Sequence, residues 1–286
     1  MKVSSVADVD DRKAAAATGA AATERFRADK TNVADTPPER VDVMVREVTA
    51  AVHEIARRYE VSYAEYDALK SWLIQVGDDG EWPMFLDLIL EHVIEEVANE
   101  SRTGSKNAIE GPFYVPGAPE FGSEATLPMR PDEQGSRLTL RGQVRSVDGE
   151  PLGGAVVDIW HGDSEGLYGQ FAAGIPEWNL RGRILTDAEG RFTIRTIRPA
   201  PYEVPTGGAL GAMLRAAARS AWRPAHLHVK VSAPGYELTT TQLYFRGDDH
   251  LDDDVVDAVK PELILDLKPA ADGNLVTRYD FVLDPA

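Results

Sequence analysis

The hydrophobic positions of the chain follow two periods, a helical period first and a strand-like period after it. Thr36 followed by Pro37 and Pro38 is a helix-start signal. Beyond it, apolar residues recur at steps of three and four, which predicts one face of an amphipathic helix. The apolar positions of this helix are Val41, Met44, Val45, Val48, Val52, Ile55 and Tyr59.

Two further helical patterns follow. Ser62 and Glu65 have the spacing of a capping box, which predicts a second helix that ends near Gly77. A third pattern extends from about Glu81 to Val97, and a polar junction follows it. We therefore predict a helical domain over residues 36–105. Residues 1–35, rich in Ala, Asp and Thr, are expected to be a poorly ordered N-terminus.

Beyond the junction the period of the pattern becomes two. Apolar and polar residues alternate over 138–144, and a turn follows at Asp148-Gly149. The segment TDAEGRFTIRTI (186–197) likewise combines a turn, at Glu189-Gly190, with an alternating strand pattern. Short strands separated by glycine turns indicate an antiparallel β-sandwich over residues 106–286, and hence an α+β fold. The remaining predicted strands are 155–159, 227–232, 238–245 and 276–283.

Composition and charge restrict the possible partners, location and metal ligands of the protein. The formal net charge of −17 argues against nucleic acid and anionic membranes as partners, because both would be repelled. No segment approaches the roughly 18 uninterrupted apolar residues that a membrane span needs, so we expect a cytoplasmic protein without membrane insertion. The acidic run Asp252-Asp253-Asp254 is interpreted as solvated surface. The chain has no cysteine, so a metal ion would need nitrogen and oxygen ligands.

A pair of histidines raises the question of a metal site. In WRPAHLHVKV (222–231), His226 and His228 are two residues apart within a strand pattern. Both therefore project from one face while Leu227 and Val229 project from the other, as metal ligands would. The alternative is two imidazoles without a ligand role, and an H-x-H pattern alone leaves that alternative open.

The other ligands of such a site would come from His161, His250, carboxylates or two tyrosines. Tyr168 lies in WHGDSEGLYGQF and Tyr202 in RPAPYEVP, each near the end of a predicted strand. Buried tyrosine is usually a core residue with a hydrogen-bonded tip. Phenolate, however, is a hard anion, and two phenolates beside two imidazoles suit ferric iron better than divalent zinc or copper.

At these residues the chain resembles the intradiol ring-cleaving dioxygenase family, most closely the catechol 1,2-dioxygenases. The resemblance covers nearly everything after about residue 40, and every ligand motif occurs in order. The motifs are EWPMFLDLILEHVIEEV, NAIEGPFYVPGAPE, TLPMRP, the segment WHGDSEGLY, RPAPYEVP, WRPAHLHVKVSAPGY and TTTQLYFRGD.

The resemblance implies one non-haem Fe(III) per chain, with Tyr202 and His228 as the axial pair of ligands. It implies cleavage of catechol by O2 between the two hydroxyl-bearing carbons, giving cis,cis-muconate. Tyr202 is displaced by substrate, Arg223 stabilises the developing charge and Gln242 orients Arg223. The four implied iron ligands are Tyr168, Tyr202, His226 and His228. The implied substrate-contacting residues are Leu73, Val76, Ile109, Gly111, Pro112, Phe113 and Val255.

The apolar character of this substrate wall predicts catechol as the preferred substrate over hydroxyquinol. A third hydroxyl buried without a partner would cost roughly 1–3 kcal/mol. A hydroxyquinol or chlorocatechol 1,2-dioxygenase is the alternative within the family. Outside it stand a non-catalytic β-sandwich binding module and a zinc or copper hydrolase. The resemblance further implies a homodimer formed through the helical region, and it allows a phospholipid bound between the subunits.

Overall fold

A computed structural model describes Glu24 and residues 37–286. The predicted N-terminal segment 1–35, apart from Glu24, and the predicted helix-start residue Thr36 lie outside the described residues. The described chain forms two compact units. One contains the residues up to Phe85 together with Pro205–Ala217, and the other contains Leu86–Val204 and Ala218–Ala286. Within the described part of the chain, no helix combines the length and apolar character that a membrane crossing requires.

The first two helices follow the predicted pattern. Helix α1 (Pro38–Arg58) begins with proline in its first turn, and helix α2 (Tyr63–Asp78) follows it closely. The predicted capping box is present at the start of α2. The Ser62 hydroxyl accepts the backbone N–H of Glu65, and the Glu65 carboxylate accepts the backbone N–H of Ser62 at 2.8 Å. The reciprocal bonds satisfy two backbone donors at the helix start.

The third helical segment is interrupted, although its apolar pattern predicted one regular helix. Helix α3 (Trp82–Leu86) leads into a π-helical turn (Asp87–Glu91), and helix α4 (His92–Asn99) continues from it. A π turn widens the helix by one residue, which shifts the register of all side chains beyond it. The apolar period read from sequence does not reveal such an insertion.

A further helix, α5 (Ala209–Ala216), was not predicted from the sequence. Its first backbone N–H groups are satisfied by two carboxylates far away in the chain. Asp79 accepts from Ala209 at 3.1 Å, and Glu81 accepts from Leu210 at 2.9 Å. Both acids complement the positive end of the helix dipole.

The second unit is built from two main sheets and a small third one. The strand order is β1-β5-β4-β9-β10-β11 in the first sheet and β12-β13-β3-β6-β2 in the second, where β14 also pairs with β3. The third sheet is the pair β7 and β8. The strands are β1 (Glu120–Phe121), β2 (Glu124–Thr126), β3 (Arg137–Ser146), β4 (Val156–Trp160), β5 (Arg181–Leu185), β6 (Arg191–Ile197), β7 (Tyr202–Glu203), β8 (Trp222–Arg223), β9 (His226–Ser232), β10 (Thr239–Phe245), β11 (Ile264–Leu265), β12 (Lys268–Pro269), β13 (Leu275–Arg278) and β14 (Phe281–Leu283).

The helical-plus-sandwich fold is confirmed, but the sheets are not purely antiparallel. The longer pairings β3·β6, β4·β5, β4·β9 and β9·β10 are antiparallel, whereas β1, β2 and β11 join the sheet edges in parallel. The predicted strand 276–283 is two strands, β13 and β14, and both run parallel to β3. Alternation reports which face a residue occupies but not the direction of its neighbour, so the sequence could not distinguish these cases.

One hydrophobic core joins the two main sheets. Side chains of β4, β9 and β10 from the first sheet and of β3 and β6 from the second belong to a single buried cluster. Because alternate residues of a strand point to opposite faces, the other side chains of β4, β9 and β10 lie on the far side of the first sheet. The candidate site is built there.

Candidate active site

Strand β9 places the two histidines of the H-x-H pattern together. Leu227 and Val229 lie in the core, and His226 and His228 project from the opposite face with their Nε2 atoms 2.9 Å apart. The Nδ1 atom of His226 is 2.7 Å from the Pro224 carbonyl oxygen. Because a carbonyl only accepts, Nδ1 of His226 carries the proton and Nε2 keeps its lone pair.

Strand register brings three more side chains to the same face. Gln242 and Tyr244 of β10 lie opposite His228 and His226. Trp160 of β4 lies opposite His228 on the other side, and its ring stacks on the imidazole at a centroid distance of 4.8 Å. Trp160 and Tyr244 were not predicted as site residues, although cross-strand register would identify both once the pairing is known.

The two tyrosines approach from outside the main sheet. Tyr202 begins β7 and lies opposite Arg223 of β8, and Tyr168 lies in the connection between β4 and β5. The Tyr202 ring is 5.7 Å from His226, and the Tyr168 ring is 6.1 Å from His228. The two tyrosine rings meet edge to face, with their centroids 5.8 Å apart. Distant segments therefore bring two phenols and two imidazoles together.

A glycine makes this approach of the two tyrosine-bearing segments feasible. Gly166 has φ of +79°, and a Cβ atom built there would lie 2.5 Å from Cβ of Tyr202. A side chain at this position would be both strained and in collision, so the glycine is required by the fold. The WHGDSEGLY segment (160–168) thus carries a backbone requirement as well as Tyr168.

Arg223 is buried and held by several acceptors. Its Nε and Nη2 atoms donate to the two carboxylate oxygens of Asp254 at 2.9 and 3.2 Å, and Nη2 also donates to Oε1 of Gln242 at 2.8 Å. Burial lowers the pKa of Arg223, but Asp254 and the neighbouring tyrosines raise it by more, so the guanidinium is charged. The interpretation of the acidic run as solvated surface is wrong for Asp254, which is buried.

Five of the seven predicted substrate-contacting residues lie in the same unit as these groups. The Phe113 ring stacks on Tyr168 at 4.3 Å, and the Ile109 carbonyl accepts from Nε2 of Gln242 at 2.8 Å. Gly111, with φ of +71°, lies beside the His228 ring, and Pro112 connects it to Phe113. Val255 follows Asp254 directly and is buried.

The two remaining substrate-contacting residues predicted from sequence lie on α2, in the other compact unit. Val76 is buried and Leu73 is half-buried. Their part in substrate binding stays a prediction.

Arg181 is a buried cation that the sequence did not indicate. It donates to the Phe113 carbonyl at 2.8 Å and to the Gly169 carbonyl at 3.1 Å. The guanidinium therefore ties the segment before Tyr114 to the loop that carries Tyr168. The sequence of its strand, RGRIL (β5), gives no signal for this role, because it looks like any strand in which polar and apolar residues alternate.

The other two candidate histidine ligands are hydrogen-bonded to groups outside this cluster. His161 lies 2.7 Å from both the Gly162 carbonyl and the Thr196 hydroxyl, and His250 pairs with Asp253 at 3.0 Å. In residues 37–286 and Glu24 no three or more His, Cys, Asp and Glu side chains group together in a way that could hold a metal ion.

Burial dominates the electrostatics of the cluster. It lowers the pKa of His226 and His228 well below the usual value, and nearby charges, Arg223 among them, lower it further. Both imidazoles are therefore neutral, which is the form that binds metals. Burial also raises the pKa of the Tyr168 and Tyr202 phenols. Their ionisation would require strong positive charge within the cluster.

Comparison with known proteins agrees with this arrangement. Residues 38–106 match the family model described as "Catechol dioxygenase N terminus", and residues 109–285 match the model described as "Dioxygenase". A chlorocatechol 1,2-dioxygenase of Rhodococcus opacus is 40% identical over 246 residues, which cover 85% of this chain and 96% of that protein. Another from Pseudomonas putida is 39% identical over 249 residues, covering 85% and 94%.

A solved structure is similar over the same region. The crystal structure of the 3-chlorocatechol 1,2-dioxygenase of Rhodococcus opacus 1CP superposes with a TM-score of 0.83 at 46% identity, covering 87% of this chain and 100% of that one. The family models and this structure together cover both the helical segment and the sandwich. The chain belongs to the intradiol ring-cleaving dioxygenases.

Proposed function

We propose that this enzyme is a non-haem Fe(III) chlorocatechol 1,2-dioxygenase, with Tyr168, Tyr202, His226 and His228 as the iron ligands. The observation that carries the proposal is the convergence of two neutral imidazoles and two phenols in a buried cluster, with the histidine Nε2 atoms 2.9 Å apart. Two phenol oxygens and two imidazole nitrogens form a donor set that suits ferric iron.

The hydrogen bonds of the histidine pair fit a shared cation. Nε2 of His226 presents a lone pair, while Nδ1 of His228 is buried and has no hydrogen-bond partner among the described residues. If His228 donated its Nε2 proton to His226, its own Nδ1 lone pair would be buried without a partner. If His228 carried its proton on Nδ1, two lone pairs would face each other. Neither arrangement satisfies the pair by itself, and in the second one a bound cation would take up both Nε2 lone pairs.

Bound Fe(III) would take up the two diol oxygens as anions and withdraw electron density from the ring. This would make the ring carbons reactive toward O2. The protein supplies charge and orientation around that reaction. Arg223 lies opposite Tyr202 in the β7–β8 pair, and its charge lowers the pKa of Tyr202 against the larger effect of burial, so it presents a fixed positive charge where negative charge develops. Gln242 holds the same guanidinium from the side of the main sheet, with its own amide fixed by the Ile109 carbonyl.

The preference for a chlorinated diol rests on two supports. The relatives at 40% and 39% identity are chlorocatechol 1,2-dioxygenases by name, which favours this alternative over the plain catechol that the apolar wall first indicated. The side chains of Ile109, Phe113 and Val255 are apolar, so they can contact chlorine without leaving a polar group unpaired. A third hydroxyl without a partner would cost roughly 1–3 kcal/mol, or about 5- to 150-fold in kcat/KM.

Oxygen-uptake kinetics on protein of measured iron content test the proposal. We expect a red to burgundy protein, because phenolates bound to Fe(III) give visible charge-transfer absorption, and we expect it to bleach when iron is removed. We expect kcat/KM for 3- or 4-chlorocatechol to equal or exceed that for catechol, with hydroxyquinol at least about tenfold lower.

Each part of this proposal has its own contradicting result. A colourless, fully metallated zinc protein would contradict the iron assignment. If the enzyme turned over catechol tenfold faster than either chlorocatechol, catechol would be its preferred substrate. Hydroxyquinol as the best substrate would contradict the apolar-wall argument and leave the iron assignment intact.

We further propose a homodimer formed through the helical region, as the resemblance implies. The support is the exposed apolar face of α1, where Val45, Val48 and Val52 are 60%, 58% and 57% exposed. A phospholipid between the subunits and a cytoplasmic location stay predictions.

A further inference from the structure

The three consecutive aspartates of the acidic run have different surroundings. Asp252 and Asp253 are exposed, whereas Asp254 is 6% exposed. The Asp254 carboxylate faces the guanidinium of Arg223 edge to edge, with Oδ1 2.9 Å from Nε and Oδ2 3.2 Å from Nη2. A bidentate pair of this kind fixes the plane of the guanidinium as well as its position.

The carboxylate is itself held by the backbone around it. Oδ1 of Asp254 accepts the N–H of Val256 at 3.4 Å, and Oδ2 accepts the N–H of Ala258 at 3.2 Å. The next residue, Val255, donates its N–H to the carbonyl of Trp222 at 2.9 Å. The loop is therefore bonded to β8 one residue before Arg223, and the carboxylate cannot shift independently of the strand that it faces.

On its other side the Arg223 guanidinium contacts residues of the candidate active site. Nη2 of Arg223 donates to Oε1 of Gln242 at 2.8 Å and lies 3.3 Å from the hydroxyl of Tyr244, and Tyr202 lies opposite Arg223 in the β7–β8 pair. The Gln242 and Tyr244 contacts are to neutral groups. The carboxylate of Asp254 faces Arg223 and forms the buried ion pair that makes it favourable to keep a guanidinium in this orientation.

We propose that Asp254 is a positioning residue of the ring-cleavage reaction, which fixes the Arg223 guanidinium toward Tyr202 and the diol. The inference rests on the proposed function of the site. It assigns Asp254 no contact with the substrate, so its effect on turnover passes through Arg223. An asparagine at this position would keep the size but present an N–H group to a guanidinium that can only donate. The guanidinium would then turn away from that edge.

Asp254→Asn and Asp252→Asn form a matched pair for the test. Both remove one negative charge from the same run, but only Asp254 is buried against Arg223. We expect Asp254→Asn to lower kcat roughly 10- to 100-fold, the scale for a group that orients a functional residue. We expect Asp252→Asn to stay within about twofold of wild type.

Two further measurements separate positioning from a structural role. Iron content, the visible spectrum without substrate and the melting temperature of the metal-free protein should show that Asp254→Asn keeps a folded, iron-competent site. In a double-mutant cycle, Asp254→Asn should cause no additional loss of kcat in an Arg223→Gln background, because the group through which it acts is already gone.

Wild-type turnover in iron-loaded Asp254→Asn, or losses that multiply in the double variant, would overturn the inference. Should Asp254→Asn not fold, Asp254→Glu takes its place, because it retains the charge while displacing the guanidinium. Lowered turnover at full iron content then supports the inference, and wild-type turnover overturns it. A wild-type protein that binds no iron and cleaves no diol would instead overturn the proposed function.

Discussion

The Pro224 carbonyl decides which nitrogen of His226 is available for chemistry. It lies 2.7 Å from Nδ1 and holds the proton there, so the lone pair of Nε2 points at His228. On the other side of His228, the Trp160 ring stacks almost parallel to the imidazole, with 5° between the planes. Single neighbours thus fix the tautomer of one ring and the plane of the other before any ligand binds.

At the residue scale we predict that substitutions of the iron ligands and of Arg223 have different effects on iron content and turnover. His226→Ala and Tyr168→Phe should lose iron and colour, because each removes a donor atom from the cluster. Arg223→Ala should keep iron and colour but lose turnover by roughly 10² to 10³-fold, as expected when one fixed charge near the reacting atoms is removed. Metal analysis and visible absorption, followed by oxygen uptake, measure both effects.

His53→Ala is the control for the histidine substitution, because His53 lies exposed on α1 and should leave iron unchanged. Equal iron loss in the Arg223 and His226 variants would make Arg223 structural. Full activity of the Arg223 variant would remove it from the mechanism.

The spacing of the two histidines could be recognised in the sequence, whereas the carboxylate that holds Arg223 could not. His226 and His228 stand out because their spacing places both on one strand face. Asp254 did not stand out, because three consecutive aspartates look alike in sequence. Its burial depends on Arg223, which comes from a segment about thirty residues earlier and meets it only in the folded chain. A contact of this kind leaves no local pattern.

The π-helical turn between α3 and α4 is the element with the most unusual electrostatics. It carries Asp87 and Glu91, and burial raises the pKa of Asp87 to about 6. Burial, Asp87, Glu95 and Glu110 together raise the pKa of Glu91 to about 8, partly opposed by a hydrogen bond from the Glu110 backbone. Lys260 and Arg102 face the neighbouring Glu95.

This turn predicts a pH dependence of stability. The unfolded protein ionises Glu91 near its ordinary pKa of 4.5, whereas the folded protein keeps the carboxyl protonated up to about pH 8. Between these values the unfolded state binds fewer protons, so the free energy of unfolding should fall as the pH rises from about 5 to about 8. Glu91→Gln removes this titration and should flatten the profile.

Urea denaturation at fixed pH values measures this profile. Glu96→Gln, on the exposed side of α4, should leave the slope unchanged. A Glu91→Gln variant with the wild-type slope would show that Glu91 is not the titrating group.

Elements were predictable where a local period defines them. The capping box of α2 and the positions of the long strands follow from spacing alone. Helix α5 has only eight residues, and its first N–H groups are satisfied by Asp79 and Glu81, which lie far away in sequence. The parallel strands β1, β2 and β11 are two or three residues long, which is too short for a period to be recognised.

At the scale of the whole molecule, the described chain divides its roles between two units. All four proposed iron ligands, together with Arg223 and Asp254, lie in the unit that contains the main sheets. Helix α1 has no buried residue of its own, although its apolar positions follow a regular helical period. An amphipathic helix whose apolar face stays exposed is typical of an interface with another protein surface.

The last prediction follows from that face. Size-exclusion chromatography with light scattering should give twice the chain mass, and Val48→Asp combined with Val52→Asp should shift the protein to monomer. Burying a valine contributes about 1.5 kcal/mol or more, so loss of two should weaken dimerisation by more than about 100-fold. Val147→Asp, at an exposed valine of the unit that contains the main sheets, is the control and should remain dimeric. Because all proposed ligands lie in that unit, the monomeric variant should still bind iron and show colour. A wild-type protein that is active as a monomer would contradict the dimer, and loss of iron in the monomeric variant would show that the site depends on it.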